Sequence, residues 1–456
     1  MPYDRAALAT AGRPLGRSAI GPPPPSKDTM FYRLYLWLKD GSNRLWVKPA
    51  LGSVFAIAFA LFATLTDKFV PADTLPSIDV DTIKNVLTVI ASSMLAVTTF
   101  SLSIMVASLA SVASGASPRA TELVMGDDNT QNAIAAFISA FIYAVIAQIA
   151  LGIGFYGPSG RFVLFVATVL VLLYLIYTLV VWVKTLSSLG RMGNTLNKVE
   201  QAATESMLAY RRAPRMGAGT QIGAPLDGAT VLAGRVGHVR YIDLRALQKH
   251  AAEVGGKLHI RVRPGSQVYP GTALLNCEAG MKVEADLLRE AFIVGPARTY
   301  RQDPRFGLIV LSEVAQRALS PAVNDPGTAI AVLNTIARVL IDARPNGSSD
   351  HERDDEPPQE FDRLTMRDLD ESDFITQSID AIARDGAAVF EVQVRIQRVL
   401  AAIAASGSVT LAPAAHRQAA RSMERVDLTA MLDDEKTELR RLYERLHAST
   451  ELPGVR

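Results

Sequence analysis

The side chains best suited to chemistry lie within residues 298–328: Arg298, Thr299, Gln302 and Asp303, then Ser320, Asn324, Asp325 and Thr328. A guanidinium, two carboxylates and several hydroxyls at helix ends support two arrangements. In the first they form a buried polar bracket, with Asp325 satisfying helix-end amides and Arg298 pairing with Asp303 or Asp325. In the second, helix-start amides and Arg298 hold an anion, or the carboxylates hold a cation. Either way the eight residues are expected to converge where two helix ends meet. Catalysis is not expected, because the chain has no His-Glu-x-x-His, phosphate loop, Gly-x-Ser-x-Gly or dinucleotide fingerprint, and its six histidines are scattered. No cofactor, metal or catalytic residue is therefore assigned.

A second set is polar in an apolar setting. Ten hydroxyl residues lie between Thr88 and Ser114. Thr88, Ser92, Thr99 and Ser103, continued by Ala96, Ala107 and Ala110, share one helical face. Small and hydroxyl side chains let helices approach closely. Repeated around a symmetry axis, the same stripe would line a narrow wet pathway without fixed charge.

The elements that must carry these residues begin with four uncharged intervals, and a span needs about 20 apolar residues. They fall at about 49–66, 85–113, 134–157 and 162–183, within a membrane domain at 29–184. The second is free of charge from Asn85 to Pro118. As a helix it would reach roughly 51 Å, so it must tilt or protrude. No ionisable side chain lies inside a span, which disfavours a pump or ion-coupled transporter.

Eight bases precede the first span (Arg5, Arg13, Arg17, Lys27, Arg33, Lys39, Arg44, Lys48), whereas the loop at 67–84 has two lysines beside Asp67, Asp73, Asp79 and Asp81. More bases follow the fourth span, so both termini are expected in the cytoplasm. Trp37, Trp46 and Trp182 fit that layout as interfacial rings. Residues 1–28 read as a disordered leader, and Met30 to Lys39 as an aromatic-rich helix on the membrane surface or extending the first span. Net charge is only +2, which argues against nucleic acid, and the single Cys277 excludes an internal disulfide.

A polar connector at 185–220 leads to a β-rich stretch at 221–280, expected to form a small barrel or sandwich. Its strands are Gly228 to Ala233, Gly237 to Ile242, Lys257 to Arg263 and Thr272 to Cys277, with Asp243 capping a helix to Glu253. The turns Pro264-Gly265 and Pro270-Gly271 resemble half of a biotinyl or lipoyl domain, with Met281-Lys282 downstream. An extra glycine and an expected helix at 284–292 speak against attachment. A helical region at 281–344 holds helices from Arg305 to Leu319 and from Asp325 to about Ala343. A mobile loop at 345–360 and a helical C-terminal region at 361–456 complete an α+β cytoplasmic portion, the last with helices near 371–384, 386–405, 412–425 and 433–448.

These pieces resemble a known family, the bacterial membrane proteins of domain of unknown function family 2254. The resemblance rests on Ser117-Pro118-Arg119, the paired turns at 264–271, Arg298-Thr299 with Gln302-Asp303, and the run from Ala318 through Ser320-Pro321 and Asn324-Asp325-Pro326-Gly327-Thr328 to Ala329. It covers roughly residues 30–400, with Ser266 standing where the family's turn is more often acidic. It implies an inner-membrane protein with a cytoplasmic α+β domain and no established reaction.

Two functions remain. One is an oligomeric channel-like protein whose second span lines a path for a small ion, with a cytoplasmic domain as gate. The other is a membrane-anchored sensor or scaffold whose cytoplasmic domain binds a ligand. Both take the lipid bilayer as partner and expect self-association.

Overall fold

A computed structural model describes residues 41–62, 76, 78–115, 117–125, 128–186, 191–220, 227–343, 359–406 and 408–447. The expected leader, the expected helix at 30–39 and nearly all of the expected loop at 345–360 lie outside the described residues.

The membrane region contains α1 (Gly41–Phe62), α2 (Val80–Gly115), the short α3 (Pro118–Met125), α4 (Asp128–Gly152) and α5 (Pro158–Leu186). Among the described residues three helices are long and apolar enough to cross a membrane: Val80–Ala113, Asn129–Gly152 and Pro158–Leu186. The first expected span is described as helix only through Phe62, so three spans stand where four were expected. α4 is the central element, packing against α1, α2 and α5. Ile83, Leu87, Ile90 and Met94 of α2 meet Phe137 and Tyr143 of α4, and Tyr143 bonds across to Thr168 of α5 at 3.0 Å. Trp182, four residues from the end of α5, is 1% exposed and packs into this core.

At 36 residues α2 is about 54 Å long against a hydrocarbon core of about 30 Å. The excess is used in packing. Val112 near its end shares a buried cluster with α3 and the following helices rather than with α4 and α5.

After α6 (Met192–Arg212) come β1 (Ala218–Thr220), β2 (Thr230–Leu232), β3 (Gly237–Ile242), α7 (Leu244–Val254), β4 (Leu258–Ile260), β5 (Gln267–Val268), β6 (Ala273–Cys277), α8 (Ala285–Glu290) and β7 (Phe292–Gly295). Asp243 caps α7 by accepting from the Ala246 amide at 3.0 Å, as its position before the helix requires. The chain continues through α9 (Pro304–Ala318), α10 (Pro326–Ile341), β8 (Phe361–Met366), α11 (Ser372–Asp385), α12 (Phe390–Ala404), α13 (Leu411–Asp427) and α14 (Asp433–His447).

The strands form two sheets over one apolar core: five strands in the order β1-β8-β4-β6-β2 and three in the order β5-β3-β7. A barrel or sandwich confined to 221–280 is not what they build. β1 and β8, from either side of that stretch, form one edge of the larger sheet, and β7 completes the smaller one. The helices of the second half share a single core with α6, where Leu308, Leu311, Val314 and Ala315 of α9 are fully buried.

Candidate functional site

The hydroxyl stripe of α2 lies on the side that no described helix covers. Thr88, Ser92, Thr99 and Ser103 are exposed, as are Ala96, Ala107 and Ala110, while the opposite face is buried against α4 and α5. Each hydroxyl donates to the carbonyl one turn back: Thr88 to Lys84 at 2.8 Å, Ser92 to Thr88 at 2.9 Å, Thr99 to Leu95 and Ser103 to Thr99 at 3.0 Å. Thr88 also accepts from Gln148 of α4 at 2.9 Å. With the proton satisfied internally, such a hydroxyl costs little in lipid and keeps an acceptor lone pair facing outward. Val89, Phe100 and Val106 flank the stripe, each more than 60% exposed. One cavity within the membrane region, about 680 Å³ between α1, α4 and α5, is walled mainly by apolar and aromatic side chains such as Leu51, Phe55, Tyr143, Leu170 and Tyr174, with Lys48, Asn132 and Ser139 as its polar lining. Such apolar walls do not make a water path.

Where α2 ends, the chain is clamped to the helical bundle of the second half. Glu313 of α9 accepts from the Ser117 hydroxyl at 2.9 Å and forms an ion pair with Arg119. The Tyr300 hydroxyl reaches the Arg119 carbonyl at 3.4 Å, and Ala120 is fully buried in the bundle core. Sequence reasoning named Ser117 and Arg119 but missed Glu313. The available signal was slight: Glu313 is the one acid of α9 and lies off its Leu308-Leu311-Val314-Ala315 stripe, so it is free to pair outside the core, but nothing local says with what.

Arg298, Thr299, Gln302 and Asp303 do come together, at the start of α9. Asp303 is 1% exposed and caps the helix through the Arg305 amide at 3.2 Å. Its other oxygen accepts from Arg298 Nε at 2.7 Å and lies 2.5 Å from Arg298 Nη2. Arg305 lies 3.6 Å from the same carboxylate and 3.4 Å from Asp373 of α11. Gln302 accepts from the Ile242 amide at 3.2 Å, and Thr299 donates to the Arg240 carbonyl at 3.3 Å. The Pro264-Gly265 turn sits against this ion pair so tightly that a Cβ on Gly265 would collide with Asp303 and Arg298. The group joins β3, the β4–β5 turn, α9 and α11. A buried carboxylate shared by two arginines in this way holds elements in register.

Ser320, Asn324, Asp325 and Thr328 are not part of it. They lie beyond the other end of α9, which at 15 residues sets the two groups about 22 Å apart, so the expected convergence does not occur. Asp325 is exposed and accepts from the Thr328 amide at 3.0 Å and its hydroxyl at 2.6 Å, bonds that hold the carboxyl below its ordinary pKa. Asn324 takes a left-handed φ of +49°, and the Ser320 hydroxyl donates to Arg317 at 2.7 Å. This is an exposed connection with a well-formed cap. Among the described residues no group of three or more His, Cys, Asp or Glu is placed to hold a metal ion.

Long apolar helices fastened to a mixed α/β region define a membrane protein with a large non-membrane portion. The chain belongs to the family described as "Predicted membrane protein (DUF2254)", whose profile matches residues 42–402. It is 33% identical over 153 residues to the uncharacterized proteins MT1328 of Mycobacterium tuberculosis strain CDC 1551 and Mb1321c of Mycobacterium bovis. Each match covers 32% of this chain and 28% of the relative, so the chain spans less than a third of the length of these curated relatives. No solved structure matches the chain.

Proposed function

We propose that the protein is an oligomeric, channel-like component of a bacterial inner membrane, with α2 lining a path between subunits and the cytoplasmic region acting as gate. α1 belongs to a fourth span, and both termini lie in the cytoplasm, the side favoured by the excess of Lys and Arg there. The observation that carries the reading is the position of the hydroxyl stripe, which no described helix of the chain covers and which lies on the helix whose far end is locked to the cytoplasmic bundle. A pore of outward lone pairs without fixed charge suits a small ion, and the four aspartates of the 67–84 loop would concentrate cations at its outer mouth. No catalytic step is part of this function. Liposomes containing the purified chain should show ion flux that changes when Ser92, Thr99 or Ser103 becomes Leu; vesicles that stay tight under every condition refute the pathway.

A second reading has its own support. Because every stripe hydroxyl donates to its own backbone, the same face also suits dry packing between two copies, which would leave a membrane-anchored sensor or scaffold. Images of the detergent-solubilised particle separate the two, since a ring with an axial hole belongs to the first and a solid two-fold dimer to the second.

A further inference from the structure

A polar cavity of about 420 Å³ opens where the end of α6, the turn after β4 and the start of α9 meet. Its walls include Tyr210, Arg212, Arg263, Arg301, Gln302 and Glu360. We infer that this cavity is a binding site for a small phosphate-bearing anion.

Arg212, Arg263 and Arg301, from three separate segments, line the cavity together with one carboxylate, Glu360. Glu360 stands 3.7 Å from Arg245, which draws its charge away from the arginines. Arg263 donates to the backbone carbonyls of Arg367 at 2.6 Å and of Pro214, and among the described residues no carboxylate forms an ion pair with it. Burial, against the opposing pull of Tyr210 and Asp368 and with repulsion from Arg305 and Arg215 added, draws its pKa down to about 10, which leaves it charged at neutral pH. Its direct partners are thus neutral carbonyls, Asp368 acts on it without forming an ion pair, and its charge favours an incoming anion. Gln302 accepts from the Ile242 amide through its oxygen, leaving its NH₂ as a donor. Arginines converging from different directions suit the several oxygens of a phosphoryl group, which they bind in pairs. The volume falls within the range of about 300–1,000 Å³ found for small-molecule sites.

The site lies at one end of α6. The other end of α6 abuts α2, where a Cβ on Gly115 would lie 3.3 Å from Met192. An occupant would draw α6, β4 and α9 together, and α6 would carry that change toward the membrane. This regulatory step rests on the channel reading; binding itself does not.

Titration calorimetry on the full-length protein in neutral detergent at low salt tests the site, with inorganic pyrophosphate in one arm and ATP in another. Binding should weaken about tenfold or more in Arg301→Ala and in Arg212→Ala, and stay unchanged in Arg440→Ala on α14, which neither lines the cavity nor pairs with a residue that does. Heat with both probes assigns the phosphoryl groups as the recognised part, and heat with ATP alone assigns a nucleotide. Absence of heat in both arms overturns the proposal, as does binding that survives both arginine substitutions. Should Arg263→Ala fail to fold, the two rim variants still decide. Binding without any effect on liposome flux keeps the site and removes only its link to the channel.

Discussion

Two aspartates open helices in the same way and end in opposite circumstances. Asp303-Pro304 begins α9 and Asp325-Pro326 begins α10, each with the acid as cap and proline in the first turn. Asp325 is exposed and serves only its own helix, whereas Asp303 is 1% exposed and holds two arginines from different directions. The difference lies in what arrives from elsewhere in the chain. A glycine turn some forty residues earlier presses against Arg298 and Asp303, and among the described residues no segment covers Asp325. Identical local wording therefore gives a cap in one place and a structural joint in the other.

That contrast can be broken directly. Asp303→Ala should cost about 3–5 kcal/mol, because it leaves Arg298 and Arg305 half-buried without their shared partner. Thermal unfolding of the full chain in mild detergent reads the loss. A midpoint matching wild type would mean that the bracket does not hold the bundle to the sheet. Gly265→Ala attacks the same joint from the turn. A side chain at φ +88° that also meets Asp303 should cost about 1–3 kcal/mol, measured the same way. Asp325→Ala should cost about 0.5–2 kcal/mol, the ordinary value of a lost cap. If it matched or exceeded Asp303→Ala, the two sites would not differ as described.

Much of this architecture is legible in the residues. The α7 cap at Asp243, the bounds of α9 and the Asp325-Pro326 start of α10 follow from local rules that the fold obeys. The failures are all non-local. β8 escapes because its buried residues, Phe361, Leu364 and Met366, are spaced three and then two apart, and the register against β1 shifts there, so strict alternation is lost. β1, Ala-Gly-Thr, has no apolar pattern to read. The two polar groups were expected to meet because both lie at helix ends, but nothing in a sequence says which ends adjoin, and a straight α9 keeps them apart. Glu313 and Arg119 are 194 residues apart, and only the fold pairs them.

Acid should produce the smallest effect and sharpen the same comparison. The hydroxyl and amide of Thr328 hold the Asp325 carboxyl below its ordinary 3.8, so the folded chain binds that proton less readily than the unfolded one. The stability this contributes is complete above 3.8 and disappears as pH falls through the depressed folded value. Thr328→Val removes the hydroxyl donor while keeping the amide, and should shrink this acid-sensitive increment without altering stability near neutrality by more than a lost surface bond. Unfolding midpoints of wild type and Thr328→Val, compared between pH 3 and pH 6, should therefore converge at the acid end, where the protonated carboxyl no longer needs either donor. Curves that stay parallel throughout would show that the Thr328 hydroxyl does not set the titration of Asp325, and that this cap owes its strength to the backbone alone.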